Sequence, residues 1–508
     1  MPLLAAVACP RKVLGSYVGS DEYIKSNLLV KAGKLDAEAS LLIEYPDLQE
    51  RFHLLRWCFS EKINYLLRTI PPELTEELAF NFNLIKKRII CSIIDQFTPE
   101  TLPEWLWVQC CLSINDGGLG LKDSVSVAYS AYSASFIDCL PTCEEVCPNL
   151  LESNNRCAAC LNTSITYINN YCQNLDPGVQ IITIASLRSL RSVGNNALSL
   201  QHYLTSMLEN STRKAFIETL DNKHLGWFSS VSNEMASKWL SVLPKCPSFT
   251  FDSSSFRILL CNRLYLPQPE RCEGLRCDCI QRGQHPVIDE RCHHLVTGCA
   301  KSGFGINLHH GVSNTIKELI NAAGFRAKRE EHGCFHHICR DFNDRQRRMR
   351  PDLSIFDLPG PNRKIILDIS NICPIPIFGT QQYSRNDALN IQKAAQQRYD
   401  ERMEKFDAIS TANGIKFHPI IFETTGRIHT ESFRFLQSIL RNISGYMDGK
   451  LLQSYWLNRV SCSYQQQLAI SIRDKLRKQK GYRFILGNFE NNPEFAITAS
   501  GPVYLARH

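Results

Sequence analysis

The stretch Arg350-Pro351-Asp352-Leu353-Ser354-Ile355-Phe356, then Asp357-Leu358-Pro359-Gly360-Pro361-Asn362, then Lys364-Ile365-Ile366-Leu367-Asp368-Ile369-Ser370 decides how the second half of this chain folds. Two β-rich runs flank a turn of Pro, Gly and Asn, the pattern of a hairpin with a longer loop. Asp352 and Asp368 are equally distant from Gly360. A turn centred on that glycine sets the two carboxylates beside each other on paired strands, which is unfavourable unless a cation neutralises them. Mg²⁺ meets that need, because it takes one or two carboxylates together with waters and a substrate phosphate. Such a pair suits metal-assisted phosphodiester hydrolysis. The bland alternative is two strand-end aspartates that cap solvent-facing amides.

The flanks of the hairpin favour the first reading. Upstream, Val312, Ile316, Leu319, Ile320 and Ala323 form a helical stripe that Gly324 ends, and Glu330-Glu331 follow on an extended piece. Arg340, Arg345, Arg347, Arg348 and Arg350 lead into the hairpin. Guanidinium groups suit phosphate contact, although a solvated loop has the same composition. Downstream, residues 387–410 read as one amphipathic helix with Ala388, Ile391, Ala395, Tyr399, Met403 and Phe406 on its buried stripe. Phosphoryl chemistry needs a cation to hold the attacked group, and Lys393 and Arg398 are the candidates on this helix. At about 100° per residue Lys393 points away from the stripe and Arg398 flanks it. Lysine is the commoner chemical choice, so both stay open. Residues 303–440 as a whole read helix, strand, strand, helix, strand, helix, which is α/β text.

Just before this region stand Cys277-Asp278-Cys279, His294 and Cys299. Two close pairs joined by a short loop deliver four borderline-soft donors to the corners of a zinc tetrahedron without a large fold. Cys272, Cys292 and His293 are substitutes for any one of them. Cys143, Cys147, Cys157 and Cys160 form a weaker candidate, which buried structural thiols explain equally well.

Working outward, 508 residues imply several domains. Apolar residues at 44% and charged residues at 21% exclude a disordered chain. No run approaches the roughly 20 apolar residues of a membrane span. The start, MPLLAAVACPRK, carries its positive charges after the apolar run, the reverse of a secretory signal, so an intracellular protein is expected. The net charge of +7 does not single out a nucleic-acid binder, and 22 scattered cysteines favour free thiols and metal ligands over a disulfide scaffold. Val13 to Ser20 suit a strand and turn, and residues 46–140 carry helical stripes such as Leu74, Leu78, Phe82, Ile85 and Ile89. Asp116-Gly117-Gly118-Leu119-Gly120-Leu121 reads as a turn, followed by residues small enough for close helix packing. Residues 141–265 read as mostly helical without further chemistry. The basic run Arg473–Lys480 reads as a solvated helix face.

Taken in order, several of these segments resemble one family. The zinc-like cluster, His310 opening a helix, the Arg-Pro-Asp, the Asp-Ile-Ser and the Arg398-Tyr399 pair carry the likeness. So does Phe417-His418-Pro419-Ile420-Ile421-Phe422-Glu423-Thr424-Thr425-Gly426. Together they resemble the C-terminal part of non-LTR retrotransposon polyproteins that use a restriction-enzyme-like endonuclease of the PD-(D/E)XK superfamily. Lys12-Val13-Leu14-Gly15 and Gly117 to Leu121 look like segments that follow the palm of the element's reverse transcriptase.

The resemblance implies a multi-domain protein. Its parts are the end of a reverse transcriptase palm and a thumb-like helical region at 1–140, a helical linker at 141–265, a zinc knuckle at 266–302, an α/β endonuclease at 303–445 and a basic tail at 446–508. It implies a nuclease that nicks DNA to prime reverse transcription, with the element's RNA as a further partner, no membrane, and a nuclear location. Asp352 and Asp368 would be Mg²⁺ ligands, Glu330 or Glu331 an accessory acid, and the zinc knuckle a holder of nucleic acid. Glu423 matches a family position to which no role is attached.

Two departures stand out. The superfamily signature expects a lysine two residues after the second acid, where this chain has Ser370, so the cation is expected on the helix. No Asp-Asp pair occurs anywhere, so polymerase activity is not expected. The competing expectations are a catalytically inactive nucleic-acid-binding remnant with a zinc knuckle, and a helical scaffold that owes its role to residues 46–265.

Overall fold

The computed structural model describes residues 10–508 except 152–154, 193–198, 270–274, 278, 281–282, 298, 300–303, 336–349, 358–363, 377–382, 444–448, 480–494, 499–500 and 505–508. The described chain is mostly helical with a small four-stranded sheet. It divides into two compact units, one of Met1–Leu264 with Tyr383–Ile391, the other of Tyr265–Gln382 with Gln392–His508. No helix among the described residues is long and apolar enough to cross a membrane.

The first unit opens with the hairpin β1 (Arg11–Val13) and β2 (Ser16–Val18). Helices α1 (Asp21–Glu44), α2 (Pro72–Ile94), α3 (Glu104–Cys111), α4 (Ser124–Val146), α5 (Arg156–Leu175) and α6 (Leu200–Thr219) follow, with shorter helical pieces between and after them. The caps are those the sequence supplies: Ser20, Asp123, Asn155 and Ser199 each accept a backbone N–H in the first turn, and α2 starts on Pro72. The stripe Leu74, Leu78, Phe82, Ile85, Ile89 is buried as its period requires. In the turn between α3 and α4, a Cβ on Gly118 would lie 2.1 Å from the Leu112 carbonyl oxygen, so only glycine fits there. Small residues of α4, among them Ala128, Ser130, Ala131, Ser133 and Ala134, are buried. Ala134, Ile137, Leu161, Ile165, Ile168, Leu204 and Leu208 then close one core among α4, α5 and α6. Where a separate helical linker was expected, residues 141–264 therefore belong to the same unit as residues 1–140.

The second unit holds α7 (His293–Thr297), α8 (Phe304–Ala322), β3 (Arg326–Arg329), β4 (Leu353–Phe356), β5 (Lys364–Ile372), α9 (Lys393–Ala412), β6 (Lys416–Glu423), α10 (Thr430–Leu440) and α11 (Gly449–Gln479), then a small hairpin, Phe495–Thr498 with Gly501–Tyr504. The sheet order is β3-β4-β5-β6; β3, β4 and β5 run antiparallel in turn, and β6 lies parallel to β5. A parallel neighbour needs a crossover, and α9 provides it. One sheet face carries Ile366 and Phe417 against Phe335, Phe406 and Ile409. Alternation along the strands turns Leu353, Ile355, Leu367 and Ile369, all buried, the other way.

Three expectations change. Residues 387–410 are not one helix: Gln392 takes a left-handed conformation (φ 67°) and splits Arg385–Leu389 from α9, so Ala388 belongs to the first unit and Ile391 is exposed. His310 lies inside α8 instead of opening it. The run that begins at Arg473 is a solvated face only in part: α11 buries Val460, Tyr464, Leu468, Ile472 and Leu476 at helical spacing together with Lys475, while Asp474 and Arg477 are exposed and Lys480 lies outside the described residues. Gly311 of α8 has no room for a Cβ, which would meet Gln467 of α11 at 2.4 Å. Thr315 and Asn307 donate across the same contact to Ser463 and Ser471.

Candidate functional site

The hairpin register is the one the sequence centres on Gly360. Leu353 pairs with Leu367 and Ile355 with Ile365. One step further, Asp352 lies beside Asp368, with the Asp352 N–H donating to the Leu367 carbonyl (3.0 Å) and the Ile369 N–H donating to Asp352 Oδ2 (2.5 Å). Asp352, Ser354, Ile366, Asp368 and Ser370 share the face that α9 covers. Asp368 is buried, at 7% exposure, and its charge is met by Arg402, whose Nε lies 3.3 Å from Asp368 Oδ2. The same guanidinium donates to Ser370 Oγ at 3.2 Å.

Arg402 is the residue that sequence reasoning missed. It lies on α9 one turn beyond Arg398, with its guanidinium between Asp368 and Ser370. Arg398 instead donates to Glu401 (2.9 Å), and Lys393 is exposed at the first residue of α9. The signal for Arg402 was present, because residues at i and i+4 share a helix face. Choosing between the two turns required the position of β5.

The other predicted residues separate into three groups. Glu331 turns to Lys364 Nζ (2.7 Å) and accepts from Ser354 Oγ (2.6 Å). Burial works to raise its pKa, but the bonds from Lys364 and Ser354 prevail and hold the carboxyl below its usual range. Glu330, at φ 45°, pairs with Arg329 at 3.4 Å, and Arg329 also meets His310 Nδ1 and Asn314. Arg350 is exposed, while Arg340, Arg345, Arg347 and Arg348 lie outside the described residues. Glu423 is buried at the end of β6, 1% exposed. One turn before Arg402 on α9, the Tyr399 ring packs at a tilt against His429 (4.6 Å) and its hydroxyl lies 3.4 Å from His418 Nδ1. Burial pushes His418 down to about 4, so that imidazole is neutral.

The cysteine–histidine cluster closes as its spacing predicts. The Cys277 N–H donates to the Pro286 carbonyl and the Ile288 N–H to the Leu275 carbonyl, pairing the two arms of the loop. Asp289 then caps α7 by accepting from the His293 and His294 backbone, which aims His294 inward. Cys277 and Cys299 bring their Sγ atoms to 3.3 Å, and Cys279 Sγ lies 3.2 Å from His294 Nε2. All four donor atoms lie within 4.8 Å of one another. A tetrahedron with zinc–sulfur bonds of ~2.3 Å has edges of about 3.7 Å, so the cage has the right size and could hold a metal ion such as zinc.

The donors differ in how readily they give up a proton. Burial keeps His294 neutral and pushes the Cys279 thiol up to about 12. Cys277 is opposed by burial but drawn down by bonds from the Cys279 backbone and the Cys299 thiol. Cys292 and His293 are buried nearby without joining the set, and Cys272 lies outside the described residues. Cys143, Cys147, Cys157 and Cys160 do not gather: among the described residues the first cluster is the one group of three or more metal-ligating side chains. The Asn371 side chain at the end of β5 donates to the Val296 carbonyl of α7 (2.6 Å), which ties the cage to the sheet.

No family model matches the chain, and no curated protein matches it.

Proposed function

We propose that the second unit is a metal-dependent DNA endonuclease of the restriction-enzyme-like kind, as the sequence resemblance implies, with a zinc-stabilised module beside its catalytic sheet. The observation that carries this reading is the juxtaposition of Asp352 and Asp368 on one face of a mixed sheet, with Arg402 reaching the second acid and Ser370. Two carboxylates side by side, Asp368 buried and Asp352 partly exposed, fit Mg²⁺, which needs only one or two protein carboxylates. When bound there, Mg²⁺ supplies Lewis acidity toward a phosphoryl oxygen. Asp352, fixed by its bonds to β5, sets the position of one ligand, and Asp368 sets the other. Arg402 pairs with Asp368 and offers a planar fork suited to a phosphate. Glu331, committed to Lys364 and Ser354, acts as a support of this face. The zinc module and the basic segment before Arg350 would hold the nucleic acid. A nuclear location and the element's RNA as a second partner follow from the same resemblance.

One observation favours the second reading, a nucleic-acid-binding remnant without catalysis. Arg402 and Lys364 already balance Asp368 and Glu331, so these acids are satisfied without any metal. The deciding experiment is nicking of supercoiled plasmid by the full chain with Mg²⁺, Mn²⁺ or EDTA, beside Asp352→Ala and Asp368→Ala. Metal-dependent nicking lost in both variants is the expected result. Salt-sensitive DNA binding without nicking in all three proteins would establish the remnant instead.

A further inference from the structure

The first unit contains a cavity of about 240 Å³ enclosed by α3, α4, α5 and α6 and the turn that precedes α4. It lies wholly within that unit and does not depend on the nuclease reading. One wall is aromatic. Tyr167 and Tyr171 lie one turn apart on α5 with ring centres 6.0 Å from each other, and Tyr129 stacks on Tyr167. Tyr171 is held in place by its hydroxyl, 2.9 Å from Thr212 Oγ1. Trp107 also lines the cavity, and its ring already meets the Lys86 and Lys87 ammonium groups.

The polar groups of this cavity are nearly all committed. Asp123 accepts from Asn83 and from the Ser126 backbone, and Thr205 bonds to Ser130. Glu209 is different. It lines the cavity half-buried and makes no hydrogen bond or ion pair among the described residues. Burial raises its pKa, with Asp116 adding to the effect and Lys122 opposing it. A half-buried carboxylate that lines one cavity with two tyrosine rings is an arrangement for a positive ligand, since both the charge and the aromatic rings attract it.

We propose that this cavity binds a small organic cation, an amine carried on a compact flat apolar body, with Glu209 pairing the ammonium and Tyr167 and Tyr171 covering the body. The volume sets the size, because it falls below the ~300–1,000 Å³ of sites for drug-sized ligands. Lys122 is the one cationic side chain among the lining residues; it is exposed and competes for Glu209 from the rim.

Three probes with one ring system and different charge test this: tryptamine, the neutral tryptophol and the anionic indole-3-acetate, each titrated calorimetrically into the full chain near neutral pH. Tryptamine should bind saturably, tryptophol at least tenfold more weakly, and indole-3-acetate more weakly still. Glu209→Gln should abolish the preference for tryptamine over tryptophol, and Lys122→Ala should strengthen tryptamine binding. A thermal melt of each variant shows that the unit remains folded. Equal binding of all three probes would mark a merely apolar hollow and overturn the proposal. So would no binding at millimolar tryptamine, or a preference that survives in Glu209→Gln.

Discussion

Replacing Arg402 by methionine tests the candidate catalytic face most sharply. The substitution keeps the stem that lies along α9 and deletes the guanidinium that meets Asp368 at 3.3 Å and Ser370 at 3.2 Å. Two charges at that distance attract by about 5 kcal/mol at an effective dielectric of ~20, before desolvation is subtracted. The Asp368 side chain is 10% exposed and that of Arg402 25%, so the variant leaves a nearly buried carboxylate unpaired. Full burial would make that cost ~3–5 kcal/mol; with a quarter of the arginine in water, about 2 kcal/mol is expected, or roughly 4–8 °C in the melting temperature of a unit this size.

Magnesium turns the loss into a signal. A ligand at ten times its Kd adds about 1.4 kcal/mol to the folded state. With Arg402 gone, Asp368 is released to bind the ion. Thermal melts with Mg²⁺ or EDTA should therefore show a larger Mg²⁺ stabilisation in Arg402→Met than in the parent, and none in Asp352→Asn/Arg402→Met. If Mg²⁺ leaves the single variant unmoved, or stabilises the double variant equally, the two aspartates do not form a cation site.

Three further outcomes are expected. The purified chain should carry about one zinc, measured by plasma mass spectrometry, and Cys279→Ser should lose it together with several degrees of thermal stability in the second unit. His418 resists protonation until about pH 4 in the folded state but takes a proton near ~6.5 when unfolded. Its contribution is thus complete above about pH 6.5 and fades as the pH falls towards 4, by up to ~3 kcal/mol; in zinc-saturated protein, denaturant melts of His418→Gln should lack that part of the slope. Gly118→Ala should destabilise the first unit by about 3 kcal/mol or more in urea melts, because its Cβ would collide with the Leu112 carbonyl.

What the sequence disclosed was local, and what it withheld depended on how elements meet. The hairpin and the opposition of Asp352 and Asp368 followed from symmetry about one turn, and the four-donor cysteine–histidine cage followed from the spacing of its donors. Helical stripes such as Leu74–Ile89 were legible because burial repeats with the helical period. The choice of Arg402 over Arg398 was not, since both flank the same stripe and only the approach of β5 separates them. The break at Gln392 left no trace either, because a non-glycine residue in a left-handed conformation is set by its surroundings. The burial of α11 could have been read from its apolar spacing, but its lysines and arginines drew the reading towards solvent.

The excursion of Tyr383–Ile391 into the first unit bears on how this chain is made and how it can be divided. Arg385 donates to the Ile217 and Leu220 carbonyls, and Asn222 donates to the Tyr383 carbonyl, so a short helix from far down the chain completes the first unit. A ribosome must therefore release more than a hundred residues beyond Leu264 before that unit can finish folding. A protein cut at the unit boundary would leave one half without its last helix and give the other half a helix with no seat. Separating the two units cleanly requires grafting residues 383–391 back onto the first fragment and bridging the gap in the second with a short linker.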